Sequence, residues 1–211
     1  LYEEAYEFVP LPRIMGHEYA GTVVEVGSEV TGVAEGDRVV ERPVQECGHC
    51  FQCRNDQENV CRNFHIVGMH GDGAYTDYRT TRPEYLLPVP EGVPLEHAAI
   101  TEPTSVAARA VSRSGAQPGD DVLIEGPGPI GVLAAAIADG AGADVTVAGL
   151  GVDAEARLPL VEDLGIRTIN VEESDLADRT AELTAGDGFD VVIDATGHES
   201  GVEQGADLVR K

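Results

Sequence analysis

The sequence predicts two domains of different class, an all-β domain followed by an α/β domain. Residues 19–40 and the segments GAYTDYRTT and EYLLPVP combine β-branched or aromatic residues with turn-forming glycine and proline, a pattern typical of short strands. From about residue 95, apolar strand-like runs alternate with Ala-rich helical ones, which favours βαβ units around a parallel sheet. We expect the first domain over residues 1–104 and the second over residues 105–211.

Within the second domain, the expected strands are DVLIEG, DVTVAG, RTINV and FDVVIDATG. The expected helices from residue 95 onward are LEHAAITEPTSVAARAVSRSG, which crosses the domain boundary, then PIGVLAAAIADG, DAEARLPLVEDLG and a segment near 174–185. Proline lacks an N–H donor and clashes inside a helix. We therefore expect Pro103 near a helix start or break, and Pro159 to kink its helix or shift its start.

The composition is strongly acidic. Against 14 Lys plus Arg stand 38 Asp plus Glu, a net charge of −24 at pH 7, and the only lysine is Lys211. Nucleic-acid binding needs cationic residues that neutralise phosphates, so the charge excludes a nucleic-acid partner. A carboxylate-rich surface almost without lysine suits a salt-rich cytoplasm, where salt screens self-repulsion. We expect a halophilic, haloarchaeal protein of the cytoplasm.

The sequence has no apolar run of membrane-spanning length and no signal-peptide pattern, so no membrane partner is expected.

All four cysteines fall in CGHCFQCRNDQENVC with the spacing C-x2-C-x2-C-x7-C, at Cys47, Cys50, Cys53 and Cys61. Short C-x-x-C spacings let several thiolates converge on one zinc ion. Two disulfides are the alternative, but they need an oxidising compartment, and cysteines three apart pair with strain. A nucleic-acid-binding zinc ribbon is disfavoured by the acidic residues around the cluster. Four thiolates close the coordination shell, so we predict a structural zinc in a lobe over about residues 44–64, with the chemistry elsewhere.

The segment EGPGPIG contains G-x-G-x-x-G directly after the predicted strand VLI and at the start of a predicted helix. In that context the pattern is typical of a dinucleotide-binding Rossmann fold, because the glycines let backbone approach a pyrophosphate at a helix N-terminus. An ordinary Gly-Pro turn is the alternative. The residues predicted to bind the cofactor here are Gly126, Gly128, Pro129, Ile130 and Gly131, with Gly128, Ile130 and Gly131 supplying the N–H donors.

The sequence leaves the choice between NAD and NADP open. An acidic residue about twenty positions after the loop would bind the ribose of NAD, but the second strand ends at Ala148 and Gly149. Asp153 comes later and is expected to cap the next helix. A small residue at the strand end leaves room for the phosphate of NADP, yet the nearest arginine, Arg157, lies further along.

The segment GHEYAGTVVEVGSEVTGVAEGDRV, the cysteine lobe and the glycine loop follow one another in an order that resembles the zinc-dependent medium-chain dehydrogenase family, over essentially all 211 residues. AAITEPTSVAARAV is similar to the polyol branch, which includes sorbitol dehydrogenase. The resemblance implies a GroES-like β-barrel catalytic domain followed by a doubly wound Rossmann domain, both incomplete. It implies hydride transfer between a secondary alcohol, a polyol or sugar, and NAD or NADP. The implied partners are this small-molecule alcohol and further copies of the chain, as a dimer or tetramer.

The same resemblance assigns a second, catalytic zinc and part of the nicotinamide site. His17 of GHE and Glu102 of EPTSV fall on ligand positions, and Glu18 would lie in or just beyond the coordination shell. The alternative for Glu102 is a helix-start carboxylate favoured by the helix dipole. In DATG, Thr196 and Gly197 would line the nicotinamide side, whereas the preceding aspartate is expected to be structural.

Two features depart from the family pattern. The cysteine that is the first catalytic-zinc ligand in the family would precede Leu1, and the chain ends at the start of a helix. We therefore expect a fragment of a longer protein, inactive as a fragment, and the functional prediction concerns the parent. Tyr2 is the candidate for the family's substrate-side tyrosine. The alternatives are a threonine or simple alcohol dehydrogenase of the same family and a non-catalytic, zinc-stabilised nucleotide-binding protein.

Overall fold

The computed structural model describes residue 9 and residues 11–211 of the chain. The chain divides into two compact units, Leu1–Glu102 and Pro103–Lys211. Small antiparallel sheets build the described part of the first unit, and a parallel sheet builds the second.

The first unit consists of short strands joined by long loops. Three strands form an antiparallel sheet in the order β1-β2-β5, and two more pair as β3-β4. The strand bounds are Ala20–Thr22 (β1), Arg38–Glu41 (β2), Val44–Gln45 (β3), His65–Ile66 (β4) and Leu86–Pro88 (β5). A short helix, α1, covers Leu95–Ala98. The cysteine lobe contains two 3₁₀ turns, Cys53–Asn55 and Glu58–Val60.

Two segments predicted as strands, TVVEV within residues 19–40 and GAYTDYRTT, form little or no strand. Of TVVEV, only Thr22 belongs to β1, and Val24 is exposed. GAYTDYRTT contains no strand, and its Tyr75 and Tyr78 are 77% and 75% exposed. Residues with a high strand propensity form a strand when a partner edge and a packing surface are available, and the exposure of Val24, Tyr75 and Tyr78 shows that these side chains lack a packing surface. EYLLPVP does contain the predicted strand, β5.

The second unit alternates strands and helices in the predicted order. Helix α2 begins at the end of the first unit and continues into the second. The bounds are Thr101–Ser114 (α2), Asp121–Glu125 (β6), Pro129–Gly140 (α3), Asp144–Gly149 (β7), Arg157–Asp163 (α4), Arg167–Asn170 (β8), Leu176–Leu183 (α5), Val191–Asp194 (β9) and Glu199–Leu208 (α6). Among the described residues, every helix is too short or too polar to cross a membrane.

The four strands of the second unit form a parallel sheet in the order β8-β7-β6-β9. Helices cover both faces. Ile124 of β6 packs with Ala134 of α3 and Val161 of α4, whereas its neighbour Leu123 packs with Leu208 of α6 on the other face. Strands buried on both faces are continuously apolar, which is why this sheet was predictable. The strand order is the 3-2-1-4 arrangement of a Rossmann fold.

Prolines lie at helix starts, as predicted. Pro103 and Pro159 are the third residues of α2 and α4, and Pro129 is the first residue of α3. The first N–H groups of a helix have no intrahelical acceptor, so proline loses nothing there. Pro159 therefore shifts the start of its helix to Arg157 instead of kinking it.

Candidate metal centres and dinucleotide edge

The four cysteines converge in one cluster, as their spacing predicts. The Sγ–Sγ distances are 3.5 Å between Cys50 and Cys53, 3.8 Å between Cys50 and Cys61, and 4.0 Å between Cys47 and Cys53. Tetrahedral zinc with Zn–S bonds of about 2.3 Å places its sulfurs roughly 3.8 Å apart. All four thiols are free, so the disulfide alternative is wrong and the sulfur geometry fits a zinc ion.

The lobe backbone favours thiolates in this cluster. The backbone amide of His49 lowers the pKa of the Cys47 thiol to about 6, and the amide of Cys53 lowers the pKa of the Cys50 thiol. Burial, in contrast, raises the pKa of the Cys53 thiol to about 12. A divalent cation deprotonates the thiols that coordinate it and offsets the cost of burying them.

A second group of candidate metal ligands lies in the first unit. One ligand atom each of His17, Glu18 and Glu102 lies within 4.8 Å of the other two. His17 and Glu18 precede β1, and Glu102 is the second residue of α2. Burial raises the pKa of Glu102, with His17 opposing the rise and Glu18 adding to it. The fold thus brings together one imidazole and two carboxylates, a donor set that zinc accepts. Tyr2 lies outside the described residues.

Close-packed glycines fix the backbone that carries His17. Gly16 has a φ of +89°, a conformation that favours glycine. The Ala74 N–H donates to the Gly16 carbonyl oxygen at 2.9 Å. A Cβ on Gly68 would lie 2.6 Å from that same oxygen, and a Cβ on Gly73 would also collide with it. The path of the GHE segment therefore depends on glycines more than fifty positions away in the sequence.

A buried carboxylate that the sequence analysis missed supports the same segment. Glu41, the last residue of β2, is 5% exposed. It accepts hydrogen bonds from the Tyr19 and Thr81 hydroxyls and from Gln45 Nε2, and it pairs with Arg79 Nε at 3.0 Å. A buried charge is tolerated when it is paired and fully hydrogen-bonded, so this network anchors Tyr19 of GHEY. The signal available in the sequence for a buried carboxylate was a glutamate directly after the two valines of RVVE.

The glycine loop joins β6 to α3, as predicted. Gly126 has a φ of +98°, and a Cβ there would lie 3.0 Å from the backbone that follows β9. A Cβ on Gly131 would collide with the Gly126 carbonyl oxygen. Gly128 is the N-cap of α3, with no atom within 4 Å of where its Cβ would be. The start of α3 is therefore open at Gly128, and the binding of a pyrophosphate by the N–H groups of the first turn, including Ile130, stays a prediction.

The turn after β9 lies at the same edge of the sheet, because Asp194 is in register with Glu125, the residue before the loop. Asp194 Oδ1 accepts hydrogen bonds from the Thr196 N–H at 2.9 Å and from the Thr196 hydroxyl at 2.6 Å. Gly197 follows with a φ of +68°. These bonds fix the turn, and the contact of Thr196 and Gly197 with nicotinamide stays a prediction.

The loop after β7 differs from the expectation. Asp153 ends a 3₁₀ turn, Gly151–Asp153, and does not cap α4, whose N-cap Ala156 makes no side-chain cap hydrogen bond. Asp153 is buried, with Oδ2 accepting from the Leu150 N–H at 3.1 Å and Oδ1 from Arg157 at 2.9 Å. The prediction was wrong because an extra turn precedes the helix and takes the carboxylate.

Two family descriptions match the chain. The alcohol dehydrogenase GroES-like domain matches residues 1–91, and the zinc-binding dehydrogenase domain matches residues 129–211. These matches and the observed strand order confirm the predicted fold class, a GroES-like domain followed by a Rossmann domain.

Similar proteins carry dehydrogenase names. Sorbitol dehydrogenase of Halalkalibacterium halodurans is 39% identical over 212 residues, covering 100% of this chain and 61% of that protein. L-threonine 3-dehydrogenase of Shewanella woodyi is 38% identical over 191 residues, covering 90% of this chain and 55% of that protein.

A solved structure extends the likeness to three dimensions. A Sinorhizobium meliloti 1021 protein, described as a zinc-binding dehydrogenase and bound to NADP, has a TM-score of 0.88 and 32% identity, covering 96% of this chain and 60% of that one. This chain spans 61% of the length of the sorbitol dehydrogenase relative.

The two matched domains, and the order in which they occur along this chain, place it in the zinc-dependent medium-chain dehydrogenase family.

Proposed function

We propose that the protein containing this chain is a zinc-dependent dehydrogenase that transfers hydride between a secondary alcohol, a polyol or sugar, and NAD(P). The observation that carries the proposal is the convergence of His17, Glu18 and Glu102 within 4.8 Å, in a chain that also has a glycine loop at the carboxyl edge of a parallel sheet. The first arrangement suits a metal ion and the second a dinucleotide. The dehydrogenase names of the relatives support it.

On this proposal, His17, Glu102 and Glu18 hold the catalytic zinc. Zinc held by these residues would supply Lewis acidity that lowers the pKa of a substrate hydroxyl. Burial and the neighbouring Glu18 carboxylate raise the pKa of Glu102. A bound cation would relieve the repulsion between the two carboxylates, so these residues favour one. The position of Glu102 in the first turn of α2 opposes this rise in pKa, because the helix dipole favours the ionised form.

Glu102 also supports a polyol or sugar as the substrate. A carboxylate keeps hydrogen-bond acceptors beside the metal, and these suit a substrate with several hydroxyl groups. The 39% identical sorbitol dehydrogenase agrees with this choice. The second candidate is L-threonine, supported by the 38% identical threonine dehydrogenase. Turnover of the complete protein with polyols, sugars and L-threonine separates the two, since the proposal expects the hydroxyl-rich substrates to give the highest kcat/KM.

The cysteine cluster is proposed as a structural zinc site. Cys47, Cys50, Cys53 and Cys61 lie within 4.8 Å of one another and leave no coordination position for substrate. Its role is to hold the lobe, whose described secondary structure amounts to 3₁₀ turns and a two-stranded pair.

We also propose that the protein works in a salt-rich cytoplasm and forms a homo-oligomer. The net charge of −24 supports the first point, because self-repulsion of this size is tolerated when salt screens it.

Metal analysis of the complete protein tests the proposed function. The proposal expects two zinc ions per chain, whereas a non-catalytic nucleotide-binding protein would hold one. The Glu102→Ala variant should lose turnover and one zinc, yet keep its affinity for NAD(P)H, because the glycine loop belongs to the other unit. Glu96→Ala, which removes an exposed carboxylate from α1, is the matched control. Retained turnover in Glu102→Ala would contradict the proposal.

A further inference from the structure

The end of β7 lies beside the glycine loop. A Cβ on Gly149, its last residue, would lie 2.9 Å from Pro127 Cγ in that loop. In dinucleotide-binding folds, the adenosine ribose lies at this strand end, where a carboxylate accepts a hydrogen bond from the 2′-hydroxyl of NAD, or a cation accommodates the 2′-phosphate of NADP. The charge presented at this place therefore decides between the two cofactors.

The loop after β7 contains two carboxylates, Asp153 and Glu155, and the first is not available to a ligand. Asp153 is buried, and both of its oxygens are occupied, one by the Leu150 N–H and the other by Arg157. The same ion pair offsets the positive charge of Arg157. Asp153 is therefore not a free carboxylate and Arg157 is not an unopposed cation, whereas the exposed Glu155 lies beyond the 3₁₀ turn, just before α4.

A carboxylate reaches the end of β7 from the neighbouring strand instead. β8 is in register with β7 up to the pair Gly149 and Asn170, and the Val171 N–H donates to the Gly149 carbonyl oxygen at 2.9 Å. The next residue, Glu172, is held by its own N–H, which donates to Asn170 Oδ1 at 3.1 Å. Its side chain turns toward the β7 loop.

The Glu172 carboxylate occupies the space in front of Gly151. A Cβ on Gly151 would collide with Glu172 Oε2, so the absence of a side chain there is what admits the carboxylate. Glu172 is exposed, so its oxygens are open to a ligand. A 2′-hydroxyl would donate to such an oxygen, whereas a 2′-phosphate would meet a like charge in the same place.

We propose that Glu172, extending from the loop after β8 across Gly151, is the ribose-binding carboxylate of this protein and makes it select NAD(H) over NADP(H). This inference rests on the proposed dinucleotide-binding function of the second unit. It explains how a chain with glycine at the end of β7 can still present an acidic group at the position where NAD requires one.

Direct binding of NADH and NADPH to the complete protein, measured by nicotinamide fluorescence and calorimetry, tests this inference. We expect wild type to bind NADH at least about tenfold more tightly than NADPH, and Glu172→Gln to lose most of that preference, since a hydrogen bond to a charged group contributes about that much. Gly151→Ala should act in the same direction by displacing the carboxylate. Glu173→Gln, which neutralises the adjacent exposed carboxylate, should leave the preference unchanged.

The outcomes separate the inference from the function on which it rests. Equal binding of both cofactors by wild type, or an undiminished NADH preference in a folded Glu172→Gln variant, would overturn the role of Glu172 while leaving the dehydrogenase proposal intact. Failure to bind either dinucleotide would overturn both. Thermal unfolding of each variant shows whether it is folded.

Discussion

Glu125, the last residue of β6, is a buried carboxyl group whose removal has a calculable effect on stability. The residue is 4% exposed, and among the described residues its Oε2 atom has no hydrogen-bond partner. A Cβ on Gly205 of α6 would lie 2.7 Å from Oε2, so the carboxyl group packs directly against that helix. Burial, together with the nearby Asp194 carboxylate, raises the pKa of Glu125 to about 7 from its usual 4.5.

The sign and size of the effect follow from this pKa. Because the folded protein holds the proton more tightly than the unfolded chain, stability falls as the pH rises from about 4.5 to about 7 and stays reduced above that range. The shift corresponds to about 3 kcal/mol of unfolding free energy. Glu125→Gln keeps the shape of the side chain but cannot ionise, so it should be more stable than wild type by about 3 kcal/mol at pH 8 and by little at pH 4.5.

Chemical denaturation followed by circular dichroism between pH 4.5 and pH 8 measures this difference. Glu173→Gln is the control, because it removes an exposed carboxylate of the same unit and its difference from wild type should depend little on pH. A difference between Glu125→Gln and wild type that does not change with pH would refute the reasoning. So would a variant less stable than wild type at pH 8.

The remaining predictions concern the cysteine cluster and the surface charge. Cys50→Ser should lose the structural zinc and lower the melting temperature while dinucleotide affinity is retained, because metal binding stabilises the fold of such a lobe; lost dinucleotide affinity without destabilisation would contradict the assignment. The melting temperature of wild type should rise with molar KCl, since salt screens the net charge of −24. A melting temperature indifferent to KCl would argue against a halophilic origin.

The parallel sheet was predictable because its strands are buried on both faces. Runs such as VLI in β6 must be apolar on either side, and this constraint is visible in the sequence without knowledge of partners. The first unit lacks such a constraint. Its strands are two to four residues long, and hydrogen-bond partners more than propensity decide where they begin and end. TVVEV and GAYTDYRTT were therefore predicted as strands, although only Thr22 of the first and no residue of the second belongs to a strand.

The candidate sites divide in the same way. The convergence of the four cysteines and the glycine turn before α3 depend on short spacings, so residue types at fixed offsets were sufficient to predict them. The residues that support the GHE segment could not be predicted in this way, because they lie far from it in the sequence. Glu41 and the glycines at 68 and 73 support the GHE segment through contacts that no local pattern encodes.

Composition, periodicity and closely spaced motifs thus established the fold class, the cysteine cluster and the glycine loop, because each depends on neighbours along the chain. The meeting of His17 with Glu102, the burial of Asp153 and the approach of Glu172 to Gly151 depend on strand register and on loops that cross between strands. Contacts between residues distant in sequence are fixed when the sheets assemble, since it is the packed backbone that sets which side chains share a space.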